Sequence, residues 1–253
     1  MGEQITYEIK EGNYGVICLN RPEKRNAISV GMAEMFMEKL EQAEQDELKF
    51  LIITGAGDRM FCAGGDLKDL HGDLSNEEAF TRLSSMLDVL RRILDFPVPV
   101  MALLNGDALG GGCELATACD IRIAKENTKF GFIQTNIGIL PGWGGGAVLY
   151  KKVLPSFALH WIATGDILSA TELQHQGWIQ TIVDEKNWAK EAYLDSYKKK
   201  TVEQMRLLKT QFRANIQSAE LPMLMAKEVE ASASLWDSKE HLQALEKFSQ
   251  RKK

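Results

Sequence analysis

The chain has 253 residues, 45% of them hydrophobic and 26% charged, a composition that suits one large globular domain or two small ones. A formal net charge of -5 argues against a nucleic-acid-binding surface, and no apolar run is long enough to span a bilayer. Met1-Gly2-Glu3-Gln4 opens the chain without the apolar core of a signal peptide, which predicts a protein that is not exported.

Taken in order, Ile5 to Lys10 and Tyr14 to Leu19 read as two strands joined through Gly12-Asn13, a strong hairpin signal. Arg21 to Asn26 is a loop broken by Pro22. Ser29 is placed to cap a helix running to about Asp46, in which Met32, Met35, Phe36, Leu40 and Ala43 recur at helical spacing and predict a core-facing stripe. Phe50 to Thr54 is a short apolar run typical of a strand covered on both faces. Gly55 to Arg59 turns the chain and lacks the third glycine of a dinucleotide fingerprint. Lys68 to Ser75 is polar and predicted to be mobile. Asn76 is placed to cap a helix over Glu77 to Leu94. Val98 to Leu104 reads as a strand, followed by a helix from Gly112 to about Ala118 and strands at Ile121 to Ala124 and Lys129-Phe130. Helices are expected at Gly145 to Val153, Ser156 to Thr164 and Ala170 to Gln176, then a strand at Ile179 to Val183. Four more follow, at about Trp188 to Lys199, Thr201 to Ile216, Leu221 to Trp236 and Lys239 to Ser249. Strands alternating with helices indicate an α/β architecture.

Cys18, Cys62, Cys113 and Cys119 fit no zinc spacing, and His71, His160, His175 and His241 form no metal-like pair. The sequence therefore predicts no metal, and free buried thiols of a reducing, cytoplasmic compartment.

The chemistry concentrates at two glycine-rich strand exits. Gly110-Gly111-Gly112 opens a helix, where the first N–H groups have no intrahelical partner and the helix dipole favours negative charge. Without side chains there, a ligand oxygen reaches those amides. Glu114 follows one turn later on an otherwise apolar segment. The stretch equally suits a plain glycine turn with Glu114 facing water. Phe61-Cys62-Ala63-Gly64-Gly65-Asp66-Leu67 is the second such exit. Two backbone amides from separate turns make an oxyanion hole, in which one donor contributes about 2.7–4 kcal/mol of transition-state stabilisation.

These segments together resemble the crotonase (enoyl-CoA hydratase/isomerase) superfamily. The resemblance runs through Leu19-Asn20-Arg21-Pro22, Asn26-Ala27, Phe130-Gly131, Gly138 to Gly145 and Thr164-Gly165, in family order, as far as about Asp184. It implies a spiral of ββα units on two roughly perpendicular sheets, a core over residues 1–195, and a C-terminal helical region over 196–253 through which family members assemble as trimers or dimers of trimers. It also implies an acyl-CoA substrate, CoA being part of that substrate rather than a cofactor, and a thioester enolate held by the amides of Gly65 and Gly111. Glu114 matches one of the two glutamates of the hydratases; the other position is Gln134, which neither takes up nor releases a proton near neutral pH. The resemblance further implies CoA contacts at Ala63, Gly65, Asp66 and Leu67, phosphate contacts at Lys24, Arg25 and Lys68, a weaker reach of Lys247 and Phe248 to a neighbour's CoA, and an acyl pocket narrowed by Trp143. The expected activity is an enoyl-CoA hydratase-like lyase. The alternatives are decarboxylation of a short malonyl-type CoA, to whose branch Thr117 to Asp120 and Pro141 to Gly145 are similar, and a non-catalytic CoA-binding homologue.

Overall fold

Positive φ at both Gly12 (99°) and Asn13 (61°) matches the twist of a tight hairpin and joins β1 (Ile5–Lys10) antiparallel to β2 (Tyr14–Leu19). The computed structural model describes residues 2–66 and 74–250, with side chains through 247; Leu67, Lys68 and most of the segment expected to be mobile lie outside the described residues. In α1 (Val30–Glu44) the stripe Met32, Ala33, Phe36, Leu40 and Ala43 is buried, as its spacing predicts. Ser29 holds the N-cap position but its side chain makes no capping bond.

Three similar units then repeat. β3 (Phe50–Gly55), β4 (Met60–Cys62) and α2 (Asn76–Asp95) form the first; β5 (Val100–Leu104), β6 (Asp107–Leu109) and α3 (Gly111–Ala118) the second; β7 (Ile121–Lys125) and β8 (Lys129–Gly131) the third, ending in a 3-10 turn over Ile133–Ile137. Next come α4 (Gly145–Lys152), α5 (Pro155–Thr164), β9 (Leu168–Ser169), α6 (Ala170–His175) and β10 (Thr181–Val183). The longer strands build a six-stranded sheet in the order β1-β2-β3-β5-β7-β10, and the short ones a four-stranded sheet, β4-β6-β8-β9. Beyond the hairpin the large sheet is parallel, and its strands β3 and β5 are almost wholly buried, which fits their unbroken apolar runs.

Some boundaries differ from the sequence reading. β4 and β6 are three residues each, too short to display a two-residue period. The cap of α2 is Ser75, in a reciprocal capping box with Glu78, and Asn76 is the first helical residue. The helix expected at Trp188 to Lys199 breaks into α7 (Glu185–Trp188), a 3-10 turn and α8 (Asp195–Lys198), because Glu191 takes a left-handed φ of 51°.

The chain closes with α9 (Val202–Ile216), α10 (Leu221–Ala233) and α11 (Lys239–Gln250). α10 packs along α2 and α4, and α11 on the 3-10 turn. Lys209 of α9 is only 2% exposed and pairs with Asp120 at 2.5 Å; the same carboxylate oxygen accepts the Val100 amide at 2.8 Å. One buried ion pair thus fastens α9 to the start of β5. Losing one partner of such a pair typically costs about 3–5 kcal/mol. Arg122 and Lys152 also lie close enough to interact with Asp120, which tempers the loss. Lys209→Ala is expected to lower unfolding stability by about 3 kcal/mol in a urea titration, the low end of that range, and Asp120→Asn to cost more, because it also removes the carboxylate that Arg122 and Lys152 face.

Candidate active site

β4, β6 and β8 run parallel and end side by side, with Cys62 opposite Ala108 and Leu109 opposite Gly131. In open α/β sheets ligands bind beyond the carboxyl ends of strands, and here those ends deliver three turns to one place. The turn after β4 holds Gly64 and Gly65, the turn after β6 holds Gly110 and Gly111, and the turn after β8 holds Gln134. A side chain at Gly64 would put its Cβ 3.0 Å from the Leu109 carbonyl and 3.1 Å from the Gly111 nitrogen, so the first two turns touch backbone to backbone. Ile28 bridges the first: its amide donates to Gly64 O (2.9 Å) and its carbonyl accepts from the Asp66 amide (2.9 Å). The Gly65 amide between them has no acceptor among the described residues. Gly111 begins α3, so its amide lies outside the helical ladder.

Glu114 does not face water. It is 1% exposed, and its carboxylate accepts from four N–H donors: Gln134 Nε2 (2.9 Å) and the Gly142 amide (3.1 Å) on Oε1, the Trp143 (2.8 Å) and Gly145 (3.0 Å) amides on Oε2. An ionised carboxylate has about four acceptor sites, so every one is filled. Burial drives its pKa up to about 7, against the opposing pull of the Trp143, Gly142 and Gly145 amides and of Gln134. Because Gln134 turns its NH2 to the carboxylate, its carbonyl Oε1 is left buried without a partner.

The sequence profile of the enoyl-CoA hydratase/isomerase family matches residues 10–253. The chain belongs to this family. It is 38% identical over 182 residues to a crotonyl-CoA hydratase of Syntrophomonas wolfei, covering 72% of this chain and 69% of that one. It is 36% identical over 178 residues to a short-chain-enoyl-CoA hydratase of Clostridium acetobutylicum, covering 69% and 67%. The crystal structure of an enoyl-CoA hydratase from Bacillus anthracis superposes with a TM-score of 0.80 at 29% identity, over 98% of this chain and 97% of that one. The two-sheet α/β architecture is therefore the crotonase fold.

Within this enoyl-CoA hydratase/isomerase framework the remaining residues fall into two groups. Around the first turn, the Ala63 amide donates to the Arg25 carbonyl (3.1 Å), which sets the exposed side chains of Lys24 and Arg25 beside the Gly64-Gly65 turn. Asp66 spends its carboxylate on Arg21 (2.7 Å) and its amide on the Ile28 carbonyl (2.9 Å), so both hold the turn in place. Around the second, Trp143 is 3% exposed and lays the six-membered ring of its indole against Gly111, where any Cβ would collide with it. Cys62, Cys113 and Cys119 are buried, and burial pushes the thiols of Cys62 and Cys119 up to about 12, so neither is a thiolate nucleophile. Among the described residues no group of three or more His, Cys, Asp or Glu converges as a metal site, and no helix is long and apolar enough to cross a membrane.

The sequence reading missed the bracing of the Gln134–Gly146 stretch by the C-terminal helices. Ser232 donates to the Leu140 carbonyl (2.9 Å), the Nδ1–H of buried His241 to the Ile137 carbonyl (2.6 Å), and Glu228 accepts the Gly146 amide (3.0 Å). The only sequence signal was polar residues among the apolar positions of two helices. The contact of Trp143 with Gly111 gives a direct check. Gly111→Ala is expected to displace the indole, change tryptophan emission and cost about 1–3 kcal/mol, whereas in a Trp143→Ala background the same change is expected to be nearly neutral. Additive costs in that double-mutant cycle would exclude the contact.

Proposed function

We propose that this chain is an enoyl-CoA hydratase-like lyase for short acyl-CoA thioesters. The observation that carries the proposal is a buried carboxylate with a pKa near 7, one helical turn from two abutting turns with uncommitted amides. The thioester oxygen would sit between the Gly65 and Gly111 amides, which stabilise it as negative charge grows on it during enolate formation. A group that is half ionised at neutral pH both takes and returns protons effectively. In the proposed step water oxygen bonds to the β-carbon while its proton passes to Glu114, and Glu114 then protonates the α-carbon of the enolate. The net change is addition of one water.

For water to reach Glu114 one of its four donors must yield. Three are backbone amides of one tight loop; Gln134 is the only side chain, and its unpartnered Oε1 is free to accept from the incoming water. Gln134 thereby positions water without itself titrating. Trp143 limits the space beside the thioester and favours short acyl groups. The backbone of Ala63, Asp66 and Leu67 would receive CoA, with Lys24, Arg25 and Lys68 near its phosphates. The buried thiols suit a reducing cytoplasm. The decarboxylase alternative gains no support from the relatives compared, which are hydratases.

A mass-spectrometric panel of enoyl-CoA and malonyl-type CoA thioesters is expected to show gain of water by a short enoyl-CoA. Glu114→Gln is expected to lower kcat/KM by about 10²–10⁴. Loss of carbon dioxide from a malonyl-type CoA, or full activity in the variant, would overturn the assignment. For the assembly, residues 196–253 leave Leu207, Leu208, Met223 and Leu242 exposed, and we propose that this region joins copies of the chain as a trimer or dimer of trimers. Sedimentation equilibrium is expected to return three or six times the chain mass; a monomer would refute it.

A further inference from the structure

The loop above Glu114 is held from its other side by a second carboxylate. Helix α4 begins at Gly145, its N-cap Gly144 has no side chain to offer, and its first amides need acceptors. The Gly145 amide goes to Glu114 Oε2 at 3.0 Å, and the next amide, Gly146, goes to Glu228 Oε1 at 3.0 Å. The amides of Gly144 and Ala147 also favour the ionised form of Glu228. Two carboxyl groups thus meet consecutive peptide units of one helical turn. A Cβ on Gly146 would fall 2.5 Å from Glu228 Oε2, so the side chain lies directly on the backbone of this turn.

Among the described residues no lysine or arginine forms an ion pair with Glu228 or Glu114. Among the described residues, the groups that act on Glu228 from the packed elements include Glu114 on α3 and Tyr150 on α4, whose phenol is raised first by burial and then by Glu228. On α2, which packs along α10, Arg91 is engaged with the Pro222 carbonyl and Asp88. Two like charges at one poorly solvated helix start cannot both ionise cheaply. The orphaned Oε1 of Gln134 hangs from the same cluster through Glu114.

We propose that Glu228 is the second carboxyl group of this site, a positioning residue that shares one proton with Glu114 across the start of α4, so that the pair carries a single negative charge during turnover. It replaces, from a different helix and behind the loop, the second carboxyl that Gln134 does not supply. Burial and the Glu114 charge both hold the Glu228 proton on, in keeping with this arrangement. With Glu228 neutral, Glu114 can be the ionised base without a second charge opposing enolate formation beside it. When the shared proton leaves at high pH, the pair becomes doubly negative and the rate falls. The pairing itself stands independently of the hydratase reading; only its effect on rate rests on that reading.

Infrared titration of ligand-free protein separates the two. The carbonyl band of protonated carboxyls is expected to disappear in two steps from neutral pH upward in the wild type. One step is expected in Glu228→Gln, and two in Glu228→Asp. Glu114→Gln is expected to show one step with roughly tenfold weaker proton affinity than the upper wild-type step, the mark of a coupled pair. A single step in the wild type, or an upper step unmoved by Glu114→Gln, would overturn the proposal whether or not any substrate turns over. The amide side chain introduced by Glu228→Gln can still accept from Gly146 N–H, so a purely structural role of Glu228, with no shared proton, predicts one step in the wild type as in that variant. With a short enoyl-CoA, the alkaline limb of the pH–rate profile is expected to be lost in Glu228→Gln and kept in Glu228→Asp. Circular dichroism establishes that each variant is folded.

Discussion

Everything in this site hangs on the burial of one carboxylate. Taking Glu114 out of water carries a desolvation penalty of several kcal/mol even after relaxation, and only a full set of donors offsets it. Those donors come from one stretch twenty to thirty-one residues downstream, the 3-10 turn after β8 and the loop from Gly142 to Gly145. Hydrogen bonds to an ionised acceptor are roughly twice as strong as neutral ones, so this cluster pulls α3, the turn and the start of α4 together. The same tension sets the chemistry. Burial alone would leave Glu114 permanently protonated; the four donors alone would leave it permanently ionised. Opposed, they hold it near neutrality.

The small sheet supplies the geometry that this carboxylate needs. Neighbouring strands lie about 4.8 Å apart, so parallel strands that end together present their exits at intervals suited to a few-atom reacting centre. β4, β6 and β8 do this with Gly65, Gly111 and Gln134. The large sheet plays a different part: its buried parallel strands fix where each unit begins, and the short strands fix where each turn points. The C-terminal helices complete the arrangement by bracing the Gln134–Gly146 stretch through Ser232, His241 and Glu228.

Much of this was legible from the residues, for identifiable reasons. The stripe of α1 and the apolar runs of β3 and β5 announce themselves because burial on one face or both leaves a periodic trace. The glycines at 64–65 and 110–112 announced two strand exits because so many glycines at a helix start need an explanation. What could not be read was anything set by tertiary contact. Whether Glu114 met water or amides depended on a loop roughly thirty residues downstream. The short strands β4 and β6 have no periodicity to detect. Glu228 looks like an ordinary helix glutamate until Gly146 is seen to bond to it. The break of the helix expected at Trp188 to Lys199 lies in one left-handed residue, Glu191, which no propensity predicts.

Gln134 and Trp143 meet the same carboxylate from either side, one on each oxygen of Glu114. A glutamate at 134 would bring a second charge to the oxygen of Glu114 that Gln134 now satisfies with an N–H at 2.9 Å. The amide therefore stabilises the very ionisation that a carboxylate would oppose. Trp143 places its indole against Gly111, and its amide fills one acceptor site of the other carboxylate oxygen at 2.8 Å. Both contacts act in one direction: they fill the acceptor sites of Glu114 with N–H donors that carry no charge. In so dry a site each remaining dipole counts for more, since electrostatic interactions strengthen as the local dielectric falls. A chain that relied on Glu114 alone would need its proton affinity fixed by neighbours rather than by solvent, and the amides of Gly142, Trp143 and Gly145 are placed to do that.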